Sequence, residues 1–134
     1  MEKKYKLTEE TTNMGNRTLY RIEALRDFSD VKKGDKGGFV ENEKNLSQCD
    51  DCWVYDDAMV YGNAMVYDNA VVSGYVMVHD NAEVYGNAEV YDDAVIYDNA
   101  KVYGNAVVYG DAMLYDNVRI CGNAKVCGDA IICD

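Results

Sequence analysis

The chain has 134 residues, enough for one domain, and 24 acidic against 13 basic side chains give it a net charge of −11. That balance argues against direct nucleic-acid binding, which needs clustered Lys and Arg to neutralise phosphates. No run of about 18 apolar residues exists to cross a bilayer, no apolar stretch follows Met1-Glu2-Lys3-Lys4-Tyr5 as in a secretory leader, and five cysteines, an odd number, make no disulfide framework. A cytoplasmic chain without membrane contact is expected.

Charge divides the chain. Residues 1–45 hold ten basic and nine acidic side chains, whereas residues 46–134 hold three and fifteen. In the first part, Tyr5-Lys6-Leu7-Thr8 and Thr18-Leu19-Tyr20-Arg21-Ile22 alternate apolar and polar residues, the period of half-buried strands, with a turn at Met14-Gly15-Asn16-Arg17. This segment, residues 1–37, reads as a β cap covering the first edge of whatever follows.

Residues 38–134 read as a repeat. From Val54 onward every sixth residue is aliphatic, through Val60, Val66 and Ile96 to Ile132, and the position four later is Ala or Val. Between them stand pairs such as Gly62-Asn63, Asp68-Asn69 and Asp80-Asn81, residue types that tolerate the left-handed backbone of a sharp corner. Asp-Asn recurs at 80, 98 and 116 and Gly-Asn at 86, 104 and 122, a higher period of 18. Three hexapeptides therefore form one coil, and coils stack at about 4.8 Å. The predicted fold is all-β: a triangular parallel β-solenoid of about four and a half coils over residues 54–134, with Val40 and Leu46 continuing the step back to a start near Gly38. The absence of proline fits a ladder that uses every backbone N–H.

Residues flanking each inward aliphatic point outward. Every third unit shares a side, and the three sides differ. One carries Met59, Met77, Val95, Met113 and Ile131 beside Tyr61, His79, Tyr97, Tyr115 and Cys133. A second carries Met65, Glu83, Lys101 and Arg119 beside Tyr67, Tyr85, Tyr103 and Cys121. The third carries Trp53, Val71, Glu89, Val107 and Lys125 beside Tyr55, Ser73, Tyr91, Tyr109 and Cys127. The first side alone has an uncharged first row. Adaptable Met and amphipathic Tyr are enriched at protein interfaces, so Met59, Tyr61, Met77, His79, Val95, Tyr97, Met113, Tyr115 and Ile131 form a candidate binding face. The alternative is that residues 1–35 fold back over it.

The corners carry acidic stripes: Asp56, Asp57, Asp92, Asp93, Asp111 and Asp129 on one, and Asp80, Asp98 and Asp116, with Asp134, on the next. Three readings stand. Asp suits corners and keeps a repetitive protein in solution; stacked carboxylates bind calcium, although no nonapeptide calcium signature is present; or the carboxylate rows mimic a phosphate backbone and enter a basic channel. Cys49-Asp50-Asp51-Cys52 has the spacing of half a zinc site, but Cys121, Cys127 and Cys133 fall on three different sides and cannot complete it. No cofactor and no metal is expected.

The hexapeptides resemble the left-handed parallel β-helix repeat of hexapeptide acyltransferases, except that Tyr follows the aliphatic residue in nine of fourteen units. That resemblance implies the left hand and a histidine base. His79, the single histidine, instead occupies a Tyr slot in an uninterrupted array and reads as a surface residue. Tyr5-Lys6-Leu7-Thr8-Glu9, the stretch from Leu25 to Gly34, Gly37-Gly38-Phe39-Val40-Glu41, Leu46-Ser47-Gln48 and Asp51-Cys52-Trp53-Val54-Tyr55-Asp56 resemble the opening of YdcK-like hexapeptide-repeat proteins. This implies a capped β-solenoid without an established activity, with many phage and prophage relatives.

The expectation is a non-enzymatic acidic β-helix that works by binding a protein. The resemblance points to a phage or prophage inhibitor of a host factor, such as an anti-CRISPR or other anti-defence protein mimicking nucleic-acid charge. A homodimer joined through the apolar face or the C-terminal coil is also expected, since the apolar Ile131-Ile132-Cys133 would otherwise leave ladder groups unpaired. The alternatives are a self-assembling structural solenoid and a hexapeptide acyltransferase-like enzyme.

Overall fold

The computed structural model describes residues 3–132. Strands β1 (Tyr5–Met14) and β2 (Arg17–Ala24) form an antiparallel hairpin, and β2 pairs antiparallel with β3 (Lys36–Val40). From Trp53–Val54 to Ile131–Ile132, fourteen two-residue strands follow at six-residue steps. They stack in parallel as three sheets: an all-β parallel solenoid of about five coils, each of about 18 residues. On the first face Met59, Met77, Val95, Met113 and Ile131 lie in register. The second aligns Met65, Glu83, Lys101 and Arg119, and the third Trp53, Val71, Glu89, Val107 and Lys125.

The corners explain why the chain bends at every sixth residue. From Asp56 to Gly128 each corner opens on an Asp or a Gly with φ between 55° and 72°. Only glycine adopts this region freely, and Asp is among the few side chains enriched there. The small residue after the corner is inside: Ala58 through Ala112 are fully buried, as are the aliphatics from Val54 to Leu114. β-branched side chains on two-residue strands fill the narrow triangle while the pleat turns their neighbours outward.

The first coil departs from the expected step. Val40 pairs with Val60 and Leu46 bridges Val66, but Leu46 and Val54 are eight residues apart rather than six. The two additional residues lie in the turn before Trp53, where Asp50 has φ 59°. β3 belongs to both parts of the molecule, antiparallel to β2 and parallel to Met59–Val60. The hairpin thus extends the first face's sheet beyond its edge and does not lie over the apolar row. Trp53, expected outside on the third face, is only 1% exposed. The rings of Phe28 and Tyr5 cover it edge-on, 5.2 and 6.1 Å away.

Lys4, Arg21 and Asn45 close the three corners at this edge. Lys4 Nζ donates to the carbonyls of Cys49, Asp50 and Cys52 at 3.3, 3.2 and 2.7 Å. Asn45 Nδ2 donates to Gly62 O and Ala64 O, while its Oδ1 accepts from Glu41 N and Asn42 N. Arg21 Nη1 donates to Gly37 O and Asp56 O, and its other nitrogens reach Glu10 and Asp57. Buried edge groups are thereby paired by side chains instead of a further strand.

Candidate functional site: the first face and its corners

Met59, Met77, Val95 and Met113 are half-buried along the first face, and Ile131 is 63% exposed. Beside them Tyr61, His79, Tyr97 and Tyr115 form a continuous ladder of parallel rings. Their centroids are 4.9, 5.3 and 5.2 Å apart, with planes within 12° of parallel. The ring spacing follows the rung spacing, so the rings meet face to face and present their edges outward. Arg17 stands 6.0 Å above Tyr61 at the end of the row. The binding-face residues expected from the sequence thus lie on one sheet, in the expected order.

His79 is a rung of this ladder, both ring faces covered by tyrosines. Its Nδ1 lies 3.4 Å from Asp80 Oδ1. Burial opposes ionisation of Asp80, but the backbone N–H of Asp98 and His79 outweigh it and hold the carboxyl below its ordinary pKa.

Behind the ladder runs an open groove of about 370 Å³ along the corner between the first and second faces. Asp80, Asp98 and Asp116 line it with Asn81, Asn99 and Asn117. The amides there bond along the axis, Asn63 Nδ2 to Asn81 Oδ1 at 3.3 Å and Asn99 Nδ2 to Asn117 Oδ1 at 3.2 Å.

The acidic stripes separate into two kinds. At the first corner position the carboxylate accepts the N–H of the residue one coil later. Asp56 bonds Gly74 N and Asp92 bonds Gly110 N, both at 3.1 Å; Asp80 bonds Asp98 N at 3.3 Å and Asp98 bonds Asp116 N at 3.2 Å. Asp68 does the same for Gly86. These acids hold corner to corner. At the second position Asp57 pairs with Arg21, whereas Asp93, Asp111 and Asp129 are exposed one above another. Asp134 and Cys133 lie outside the described residues.

Cys49 is exposed and Cys52 buried, its Sγ 3.3 Å from Lys4 Nζ. Burial raises the Cys52 pKa, with Lys4 opposing. Among the described residues no group of three or more His, Cys, Asp or Glu side chains is placed to hold a metal ion, and no helix is long and apolar enough to cross a membrane. Sequence reasoning missed the capping roles of Lys4 and Asn45 and a groove at Ser73. A polar residue breaking an otherwise regular tyrosine row was the available signal for the groove.

The repeat matches the YdcK β-solenoid repeat family over residues 60–74, 96–110 and 100–116. The chain is also similar to a protein of Escherichia coli (strain K12) named as the uncharacterized acetyltransferase YdcK. The two are 37% identical over 62 residues, 40% of this chain, and the match spans only 19% of that relative's length. The similarity therefore lies in a YdcK-like solenoid repeat.

Proposed function

We propose that the protein is a binding module whose first face docks another protein. The observation that supports this most is the alignment of four half-buried apolar side chains with a stacked aromatic ladder on one sheet. Five rungs at about 4.8 Å make a strip roughly 20 Å long. With the ring edges beside it, the strip reaches a few hundred Å², the size of patch that marks contact sites on soluble proteins. Its rungs are held by backbone ladders, so little order is lost on docking.

Met77→Glu together with Val95→Glu tests this, because both side chains point outward and lie mid-strip, where binding energy concentrates. The double variant is expected to keep the β-sheet circular dichroism of the parent and to lose the proteins that the parent retains from a host lysate. Light scattering on the same pair reads self-association, the other use of this face. A variant that keeps every assembly of the parent refutes the reading.

The finer proposal, inhibition of a host factor by charge mimicry, depends on the exposed acids. Asp92, Asp93, Asp111 and Asp129 changed to Asn keep the corner geometry, since Asn also accepts at that position. Partner affinity is then expected to fall and to lose its salt dependence. Unchanged affinity at low salt rules mimicry out. A second reading, acyl transfer, is favoured by the name of the Escherichia coli relative. Acetyl transfer from acetyl-CoA that disappears in His79→Ala would establish it.

A further inference from the structure

The acids bordering the first face are not required by its corners. Two places before each outward first-row side chain stands a second corner residue. Before the second face it is Asn at every step from Asn63 to Asn117, and before the third it is Asn from Asn69 to Asn123. Before the first face it is Asp57, Tyr75, Asp93, Asp111 and Asp129. Asn completes the corner elsewhere, so the acids here add charge rather than shape. The carboxylates of Asp93, Asp111 and Asp129 are exposed and hold no partner among the described residues. At the far end of the same rungs, one place after the aromatic ladder, Asp80, Asp98 and Asp116 follow one another along the groove. Val95 thus lies between Asp93 and Asp98, and Met113 between Asp111 and Asp116.

The cap shows what such borders accept. Strand β2 sends Arg21 to Asp57, the first acid of one border, at 2.9 Å. The same strand sends Arg17 to the other border, 6.0 Å from the Tyr61 ring and into the wall that Asp80 and Asp98 continue. One strand therefore places a guanidinium on each side of the apolar row at its first rung. Further along, the pattern lacks its cations: among the described residues no Lys or Arg pairs with Asp93, Asp98, Asp111 or Asp116.

We propose that the first face docks an amphipathic helix of a partner protein, one whose apolar stripe carries Lys or Arg along both borders. This rests on the reading of that face as a docking surface and names what it takes. Five extended residue steps separate Asp93 from Asp98, so the two acid rows stand at most about 16 Å apart. A helix roughly 10 Å across fits between them, and its long basic side chains reach either row. The strip of about 20 Å matches a helix of about 13 residues. Apolar residues on a helix recur at roughly 5–6 Å against rungs at about 4.8 Å, a mismatch that flexible Met side chains absorb. A strand laid on the face presents a single line of side chains and cannot serve both borders. A second copy of this chain would set acid rows against acid rows, and nucleic acid or an anionic membrane is repelled.

The test titrates three blocked peptides of about 14 residues into the whole chain, read by calorimetry and by the helical circular dichroism gained on binding. The first has leucines at helical spacing with lysines along both borders. The second replaces its lysines with glutamates, and the third keeps its composition in an order without a stripe. The first is expected to bind and become helical, the third to bind at least about tenfold more weakly, and the second not to bind. Asp93→Asn with Asp111→Asn is expected to weaken the first peptide about fivefold and to flatten its salt dependence. That variant keeps its melting temperature, since Asn stands at the same position on the other two sides. The proposal is overturned by equal binding of the stripeless peptide, which is charge attraction alone, by binding of the glutamate peptide, by full affinity in the Asp93→Asn, Asp111→Asn variant, or by no binding of the lysine peptide. If Met77→Glu with Val95→Glu loses the parent's partners while the lysine peptide does not bind the parent, this inference falls and the docking reading stands. If that variant keeps every assembly of the parent, both fall.

Discussion

Lys4→Met measures what one buried ammonium contributes to the solenoid's first edge. Methionine keeps the length and apolar packing of the lysine stem but donates nothing. In the native structure the ammonium reaches Cys52 O at 2.7 Å, Asp50 O at 3.2 Å and Cys49 O at 3.3 Å, and stands 5.0 Å from the Phe28 ring centroid. The Cys52 carbonyl is enclosed, and leaving such an acceptor unpaired costs about 1–3 kcal/mol. The other two are reached by water once the donor leaves, and the lost cation–π contact adds about 1 kcal/mol. Methionine in turn spares the burial of a charge. That burial is what pulls the lysine pKa below its ordinary value, Arg26 adding to the effect while Cys52 and Asp51 oppose it. The difference comes to a loss of about 2 kcal/mol, or about 8 °C in melting temperature for a domain of this size. Solenoid coils couple chiefly to their neighbours, so the loss concentrates at one end. Hydrogen exchange is expected to quicken first in residues 49–54 and last around Ile96. Unchanged melting and exchange in Lys4→Met would refute the view that this ammonium closes the edge.

Two further outcomes follow from the corners and the cap. Asp98 has φ 55° and bonds Asp116 N, so Asp98→Ala is expected to lose about 2 kcal/mol in urea denaturation, half from the backbone region and half from the bond; Asp98→Asn keeps both features and should lie within about 0.5 kcal/mol of the parent. Tyr5 is fully buried and donates to Leu46 O at 2.6 Å. Burial first, then Glu43 and Cys52, raise its pKa above 10.0, so the folded state keeps a proton that the unfolded chain releases. Stability from this group is complete below pH 10 and falls above it by up to about 1.4 kcal/mol per pH unit, with a shallower fall in Tyr5→Phe.

The solenoid was legible because its determinants are local and repeated. A hexapeptide carries its own aliphatic, its own corner and its own small inward residue, and the 18-residue return of Asp-Asn and Gly-Asn places Met59, Met77, Val95 and Met113 in one row before any coordinate is known. Trp53 shows where this stops. Its place in the repeat puts it outside, but Phe28 and Tyr5 arrive from far along the chain to cover it. Lys4 and Asn45 were illegible for the same reason: a lysine near a chain terminus and an asparagine in a polar turn look like solvent-facing residues. The carbonyls they donate to lie 17 to 48 positions away. The corner acids were legible as positions but not as bonds. The sequence places Asp80, Asp98 and Asp116 one above another, but not the Asp80 and Asp98 carboxylates each accepting an N–H from the coil above.

The two periods of the molecule have different tolerances to change. A deletion of six residues anywhere in the regular array keeps every aliphatic inside and every corner chemically suitable. It nevertheless shifts all later units round the triangle by one side, so that a Met row would run on into Glu and Lys. A change of 18 residues restores phase. Gain or loss of whole coils therefore lengthens or shortens each face without altering its chemistry, whereas single-hexapeptide changes scramble the surface over an intact interior. The first coil obeys the same arithmetic: its two additional residues are absorbed in the turn before Trp53, and Val54 meets Val72 in phase. Length variants among natural solenoids of this type should accordingly cluster at multiples of 18 wherever a single face carries the function.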